Sequence, residues 1–280
     1  MSGPSFKVVM SELDSLLELM LDKDVRTLKI VRDRLCVLGW PAISYCLAHV
    51  DRNIPPDRRE RVRRFVWDTS SVYALKELSE LLKPGPDSFY LPDGLYFLTR
   101  IMEPELSLRG FTSMYEAMAD ELVAELRDSM TAVEKVEMLN YLVFDSFGFS
   151  LVGGADDGHE TVVLIPDIIQ DRKAGVVGIS MVYFLLARYA GLPVFPIFPK
   201  VPGYYVSYFD RGESLFSMDI SRCGRISDPI PRRTWRNPEL TGTDQTVLYL
   251  YAAAMRYFGE AEPSRLESYL LDRALETLAV

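Results

Sequence analysis

Histidine is almost missing from this chain: His49 and His159 are the only two in 280 residues. Chemistry that relies on an imidazole to take a proton therefore has two places to find one. Cysteine is scarce as well. Cys36, Cys46 and Cys223 form an odd, widely spaced set with no CxxC, which fits neither a disulfide framework nor a zinc knuckle and reads as reduced thiols of a cytoplasmic protein. GxGxxG, Walker, HExxH and EF-hand motifs are all lacking, and no metal or cofactor is expected. No stretch reaches the ~18 unbroken apolar residues of a membrane span, and no membrane partner is expected. The opening MSGPSFKVVMSELDS runs straight into an amphipathic pattern without a basic, apolar and cleavable leader, so secretion is not expected. Basic residues are in deficit, 31 against 40 acidic, for a net charge of −9. That field opposes a phosphate polyanion, so nucleic acid is not expected as a partner. The local exception is Arg58, Arg59, Arg61, Arg63 and Arg64, read as the solvated face of a helix rather than an anion site.

What is present is globular in balance, with 48% hydrophobic and 25% charged residues. Leu13, Leu16, Leu17 and Met20, then Leu28, Val31, Leu35 and Leu38, recur at helical spacing and predict two helices. Asp24 is placed to cap the second and Gly39 to end it. A short helix near 42–50, Pro55-Pro56 and a helix over 57–68 complete a HEAT-like helical opening. Lys83-Pro-Gly-Pro86 breaks the pattern before a buried helix over 93–102. Helices over 112–128 and 131–147 follow, the second opened by Thr131-x-x-Glu134 at capping-box spacing and ended by Gly148.

A polar, glycine-rich loop over 152–160 and a short helix at 165–171 precede VGISMVYFLLARYA (177–190), apolar on nearly every side and so a central buried helix. Gly191-Leu-Pro193 stops it. The period then changes to short aromatic and β-branched runs at 194–198, 204–209 and 215–220, predicting antiparallel strands. After a connector over 228–238, helices return at 244–258 and 263–278. The reading is an α+β fold in three parts, a helical segment 1–85, a core 86–240 and a C-terminal helical hairpin 241–280, packed as one body for want of a flexible linker.

The buried helix ending in Ala-Arg-Tyr-Ala-Gly-Leu-Pro193, then Pro202-Gly203-Tyr204-Tyr205, then Met218-Asp219 resembles the core of the transglutaminase-like superfamily, and most closely its bacterial SirB-type branch. The resemblance extends upstream through Glu134-Lys135-Val136 and Leu139-Asn140-Tyr141 to Gly148-Phe149. It implies a thiolate at the start of the central helix, a histidine on the facing strand and an orienting aspartate on the next. In this chain those positions fall at Val176, Tyr204 and Asp219, so only the aspartate is present. His49 lies in the helical opening and His159 in the polar loop. The resulting expectation is a non-catalytic protein whose vestigial site binds an unknown protein, peptide or small molecule through Tyr204, Tyr205, Asp219 and Arg225. Two alternatives stand beside it. One is a divergent hydrolase or acyl transferase using Cys223, flanked by Arg222 and Arg225, or Ser180; the other is a HEAT-like adaptor acting through the first ~80 residues.

Overall fold

Asp24 does what its position predicts. It sits in extended backbone and its carboxylate accepts from Thr27 N at 3.2 Å, opening α2 (Val25–Leu38). Gly39, at φ +77°, carries the chain out of α2 and directly into α3 (Trp40–Asn53). In the computed structural model, which describes residues 6–85, 88–152, 164–200, 204–236, 242–258 and 265–279, these helices belong to a first compact unit. It comprises Met1–Glu77 with Arg100–Leu106, and the second unit comprises Leu78–Thr99 with Ser107–Val280.

The first unit is built on α1 (Phe6–Leu19), α2, α3 and most of α4 (Arg59–Leu82). Leu13, Leu17, Val31, Leu35, Ile43, Val50, Val62 and Val66 join in one apolar cluster. The helix expected over 57–68 is twice as long, running 24 residues behind a 3-10 turn at Pro56–Arg58. The polar Thr69-Ser70-Ser71 does not interrupt it, because the Thr69 and Ser71 hydroxyls donate back to the carbonyls of Phe65 (2.7 Å) and Trp67 (3.3 Å).

In the second unit, α5 (Leu91–Met102, its last residues belonging to the first unit) presents Gly94 to a helix far along the chain. A Cβ there would lie 2.6 Å from the Leu248 side chain of α10 (Asp244–Phe258), so any larger residue would have to push that leucine aside. Next come α6 (Leu108–Glu125) and α7 (Ala132–Asn140), the latter opened by the capping box of Thr131 and Glu134. A π-helical turn, Tyr141–Ser146, extends α7, and Gly148 at φ +71° releases the chain. Two-residue strands β1 (Ser150–Leu151) and β2 (Lys173–Ala174) pair in parallel on either side of α8 (Ile165–Asp171).

Residues 178–187 of α9 (Val176–Tyr189) are all buried, as a helix apolar on every side demands. It packs on α6, α8, α10, β2 and β3 (Val194–Ile197). The sheet runs β3-β4-β5-β6, wholly antiparallel, with β4 at Tyr205–Asp210, β5 at Glu213–Asp219 and β6 at Arg225–Ser227. Arg211 (φ 49°) and Gly212 (φ 83°) close the β4–β5 hairpin with the two left-handed residues that matching strand twist requires. The C-terminal pair, α10 and α11 (Arg265–Leu278), packs together and α10 also meets α9 and β3. An α+β class follows, with eleven α-helices and a small antiparallel sheet among the described residues. None of the described helices is long and apolar enough to cross a membrane.

Candidate functional site

Val176 is the first residue of α9, and Gly175 before it offers no side chain to cap the helix. The only hydroxyl in the first two turns belongs to Ser180. It is fully buried and donates to the carbonyl of Val176 at 2.7 Å, so its hydroxyl hydrogen is committed to the helix.

Strand pairing fixes the opposite wall. Tyr205, Asp219 and Arg225 lie directly across from one another on β4, β5 and β6. Such neighbours share a face. Tyr204, one residue before β4, accepts at its carbonyl from Ile220 N at 3.3 Å, so the residue opposite Asp219 is Tyr205 and not Tyr204. The adjacent row is Val206, Met218 and Ile226, and it is turned to α9, since the Tyr183 hydroxyl reaches Met218 Sδ at 3.6 Å. By alternation, the Tyr205–Asp219–Arg225 row faces away from the helix.

On that outer face the next row is Ser207, Ser217 and Ser227. Ser207 and Ser217 are fully buried and share a hydrogen bond at 2.9 Å, Ser214 donates to Ser207 at 3.0 Å, and Ile230 N donates to Ser217 Oγ at 3.1 Å. Trp235 Nε1 in turn donates to Ile230 O at 3.0 Å. The serine row thus seats the segment 228–235 on the sheet and leaves the tyrosine–aspartate–arginine row at its end.

Asp219 is largely enclosed, its side chain 13% exposed. Its carboxylate accepts from Ser221 N (3.0 Å) and the Ser221 hydroxyl, capping the 3-10 turn Ile220–Arg222, and Arg222 Nε approaches to 3.5 Å. Cys223 follows in left-handed backbone (φ 52°) with its side chain exposed. Arg225 is exposed on β6.

Beneath this turn lies a constellation that the sequence reading did not single out. Asn140 Nδ2 donates to Gly224 O at 2.9 Å and its Oδ1 accepts from the buried Tyr183 hydroxyl at 2.8 Å. Burial alone pushes the Tyr183 hydroxyl far above the ordinary phenol range, so it stays a donor. Gly224 (φ +73°) must be glycine twice over, because a Cβ there would lie 2.0 Å from Asn140 Oδ1. The one signal available was an amide at the end of an otherwise apolar helical face.

Of the two histidines, His49 belongs to the first unit, where it stacks on Tyr45 at 3.9 Å and its Nδ1 lies 2.9 Å from Tyr45 O. His159 lies outside the described residues. No group of three metal-ligating side chains occurs among the described residues.

Residues 111–225, from the first turn of α6 to the start of β6, match the family model of the transglutaminase-like superfamily. Neither a curated protein nor a solved structure matches the chain.

Proposed function

With a transglutaminase-like superfamily domain over residues 111–225 as premise, we propose that the protein is a non-catalytic, cytoplasmic member of the SirB-type branch that binds a protein, peptide or small molecule. The observation that carries this reading is the content of three positions. By the resemblance, the positions of a thiol enzyme's nucleophile and base fall at Val176 and Tyr204 in this chain, and that of the aspartate falls at Asp219. A valine cannot attack a carbonyl, and losing one member of a catalytic unit already removes most of its rate.

Two details support binding over chemistry. Asp219 is occupied in capping its own turn, and the Ser180 hydroxyl in bonding the Val176 carbonyl, so among the described residues the substitute routes through Cys223 or Ser180 have no oriented base. The row Tyr205, Asp219 and Arg225 supplies instead a phenol, a carboxylate and an exposed guanidinium on neighbouring strands, a mixed polar surface suited to holding a ligand.

The register is tested by restoring the missing groups. Val176→Cys combined with Tyr204→His should be alkylated by iodoacetamide at pH 6 about tenfold faster than Val176→Cys alone, because a neighbouring imidazolium lowers a thiol pKa. Equal rates would show that the two positions do not meet. Wild-type protein should show no amine incorporation, and turnover surviving both Cys223→Ala and Ser180→Ala would place the active site elsewhere.

A further inference from the structure

The arginine run of α4 does more than face solvent. Arg59 Nε donates to Ile54 O at 3.0 Å, Arg63 Nη2 pairs with Asp51 at 2.8 Å, and Arg61 Nη2 donates to Leu21 O (2.6 Å) and Met20 O (3.4 Å), the open carbonyls just past α1. Two of these arginines border a cavity of about 560 Å³ in the first unit, with Met20, Leu28 and Phe65 as its apolar part. A volume of that size is ordinary for a small-molecule site.

We infer that this cavity binds a small monocarboxylate with an aromatic or branched aliphatic body. Arg61 and Arg64 are three residues apart on α4 and so lie on one face of the helix. Arg61 spends one Nη group on the α1 carbonyls, which fixes the guanidinium, and its Nε and other Nη have no partner among the described residues. Arg64 makes a single bond, Nε to Asp68 at 3.3 Å, and its Nη groups have no hydrogen-bond partner among the described residues. Together they present two planar donor forks, the geometry a carboxylate accepts in pairs.

A third cation stands behind the apolar part. The Arg32 guanidinium lies 5.3 Å from the centroid of the Phe65 ring, and its Nε is buried with no hydrogen-bond partner among the described residues. An uncompensated buried guanidinium nitrogen makes the region favourable to an anion. Glu60 and Asp68 on the lining set the limit on charge. They oppose a second negative group, which excludes phosphates and polyanions and leaves a single carboxylate with an apolar tail over Phe65, Met20 and Leu28.

Calorimetry on the full chain with 3-phenylpropionate, 4-phenylbutyrate and 4-methylpentanoate, their primary amides and inorganic phosphate tests this. At least one acid should bind saturably below 10 mM, with its amide at least about tenfold weaker and phosphate not binding. Arg64→Gln should weaken the acid about tenfold, and Asp68→Asn, which removes the carboxylate paired with Arg64 and one negative charge from the lining, should tighten it about threefold. A structural role alone would not tighten binding. No saturable binding by any acid, amides equal to acids, or Arg64→Gln and Asp68→Asn both without effect would each overturn the assignment.

Discussion

Asn140 is the residue on which the strand end carrying Asp219 rests. Its amide bridges the Tyr183 hydroxyl of α9 and the Gly224 carbonyl of the β5–β6 turn, so one side chain links helix, π-turn and sheet. Asn140→Ala leaves the buried Tyr183 hydroxyl with only the weak Met218 Sδ acceptor and takes the Asn140 donor from the Gly224 carbonyl, at a cost of about 1–3 kcal/mol for a group left unsatisfied. Gly224→Ala forces a Cβ to within 2.0 Å of the Asn140 amide and holds alanine at φ +73°, so it should destabilise at least as much. The two should not add. Shortening Asn140 removes the atoms that the new Cβ meets, leaving only backbone strain, so the double variant should be more stable than the sum of singles by about 1 kcal/mol or more in urea unfolding. Additive effects would mean that the turn moves aside and that Asn140 does not position it.

At the scale of elements, helix α7 rests on its capping box: Thr131 Oγ1 meets Glu134 N at 3.3 Å and Glu134 Oε2 meets Thr131 N at 2.7 Å. The Thr131 amide and hydroxyl hold the Glu134 carboxyl below the usual carboxylate range. A depressed folded-state pKa gives stability that is present above the unfolded-state value and lost as pH falls through the folded one. Thr131→Ala should therefore cost about 1 kcal/mol at pH 7, and the difference from wild type should shrink only as pH falls below the ordinary glutamate range and Glu134 protonates. A difference constant with pH would assign the loss to the hydroxyl alone. This element was legible in advance because Thr-x-x-Glu is a local pattern, as were the Asp24 cap, the Gly39 stop and the all-apolar α9. What local pattern does not encode stayed hidden. β6 is three residues, Arg225-Ile226-Ser227, and is a strand only because β5 offers it a ladder. β1 and β2 are shorter still. Asp219 could be named from its place after Met218, but that Tyr205 stands opposite it depends on a register that the hairpin turn and the β4–β5 bulge set together. The cavity beside Arg61 and Arg64 was invisible for a further reason. The sequence shows a charge run, and only folding shows which of its members spend their hydrogen bonds.

Charge is divided unevenly over the whole molecule. The first unit holds 14 basic and 13 acidic residues and the second 17 and 27, so the first is nearly neutral at +1 and the second carries −10. Self-repulsion of this kind would favour separate melting of the two if they were independent. We propose instead that the chain unfolds as one cooperative body, because the boundaries between units fall inside α4 and α5 and not in a linker, so neither can melt alone without unravelling part of a helix that the other uses. Buried thiols can report on each unit. Cys46 is fully buried in α3, where desolvation pushes its thiol up to about 12, so in the folded state it should resist labelling at pH 8. Above the unfolded-state thiol pKa this raised value works against folding, since the unfolded thiol loses its proton first, and the measurement belongs below that range. Ser180→Cys, near-isosteric and fully buried in α9, supplies the matching reporter for the second unit. In a background of Cys36→Ser and Cys223→Ser, pulsed labelling across a urea series with mass-spectrometric readout should give one midpoint for both thiols. Midpoints separated by more than about 0.5 M, which at slopes of ~1–3 kcal/mol/M is a stability gap of about 0.5–1.5 kcal/mol, would show two units that fold on their own.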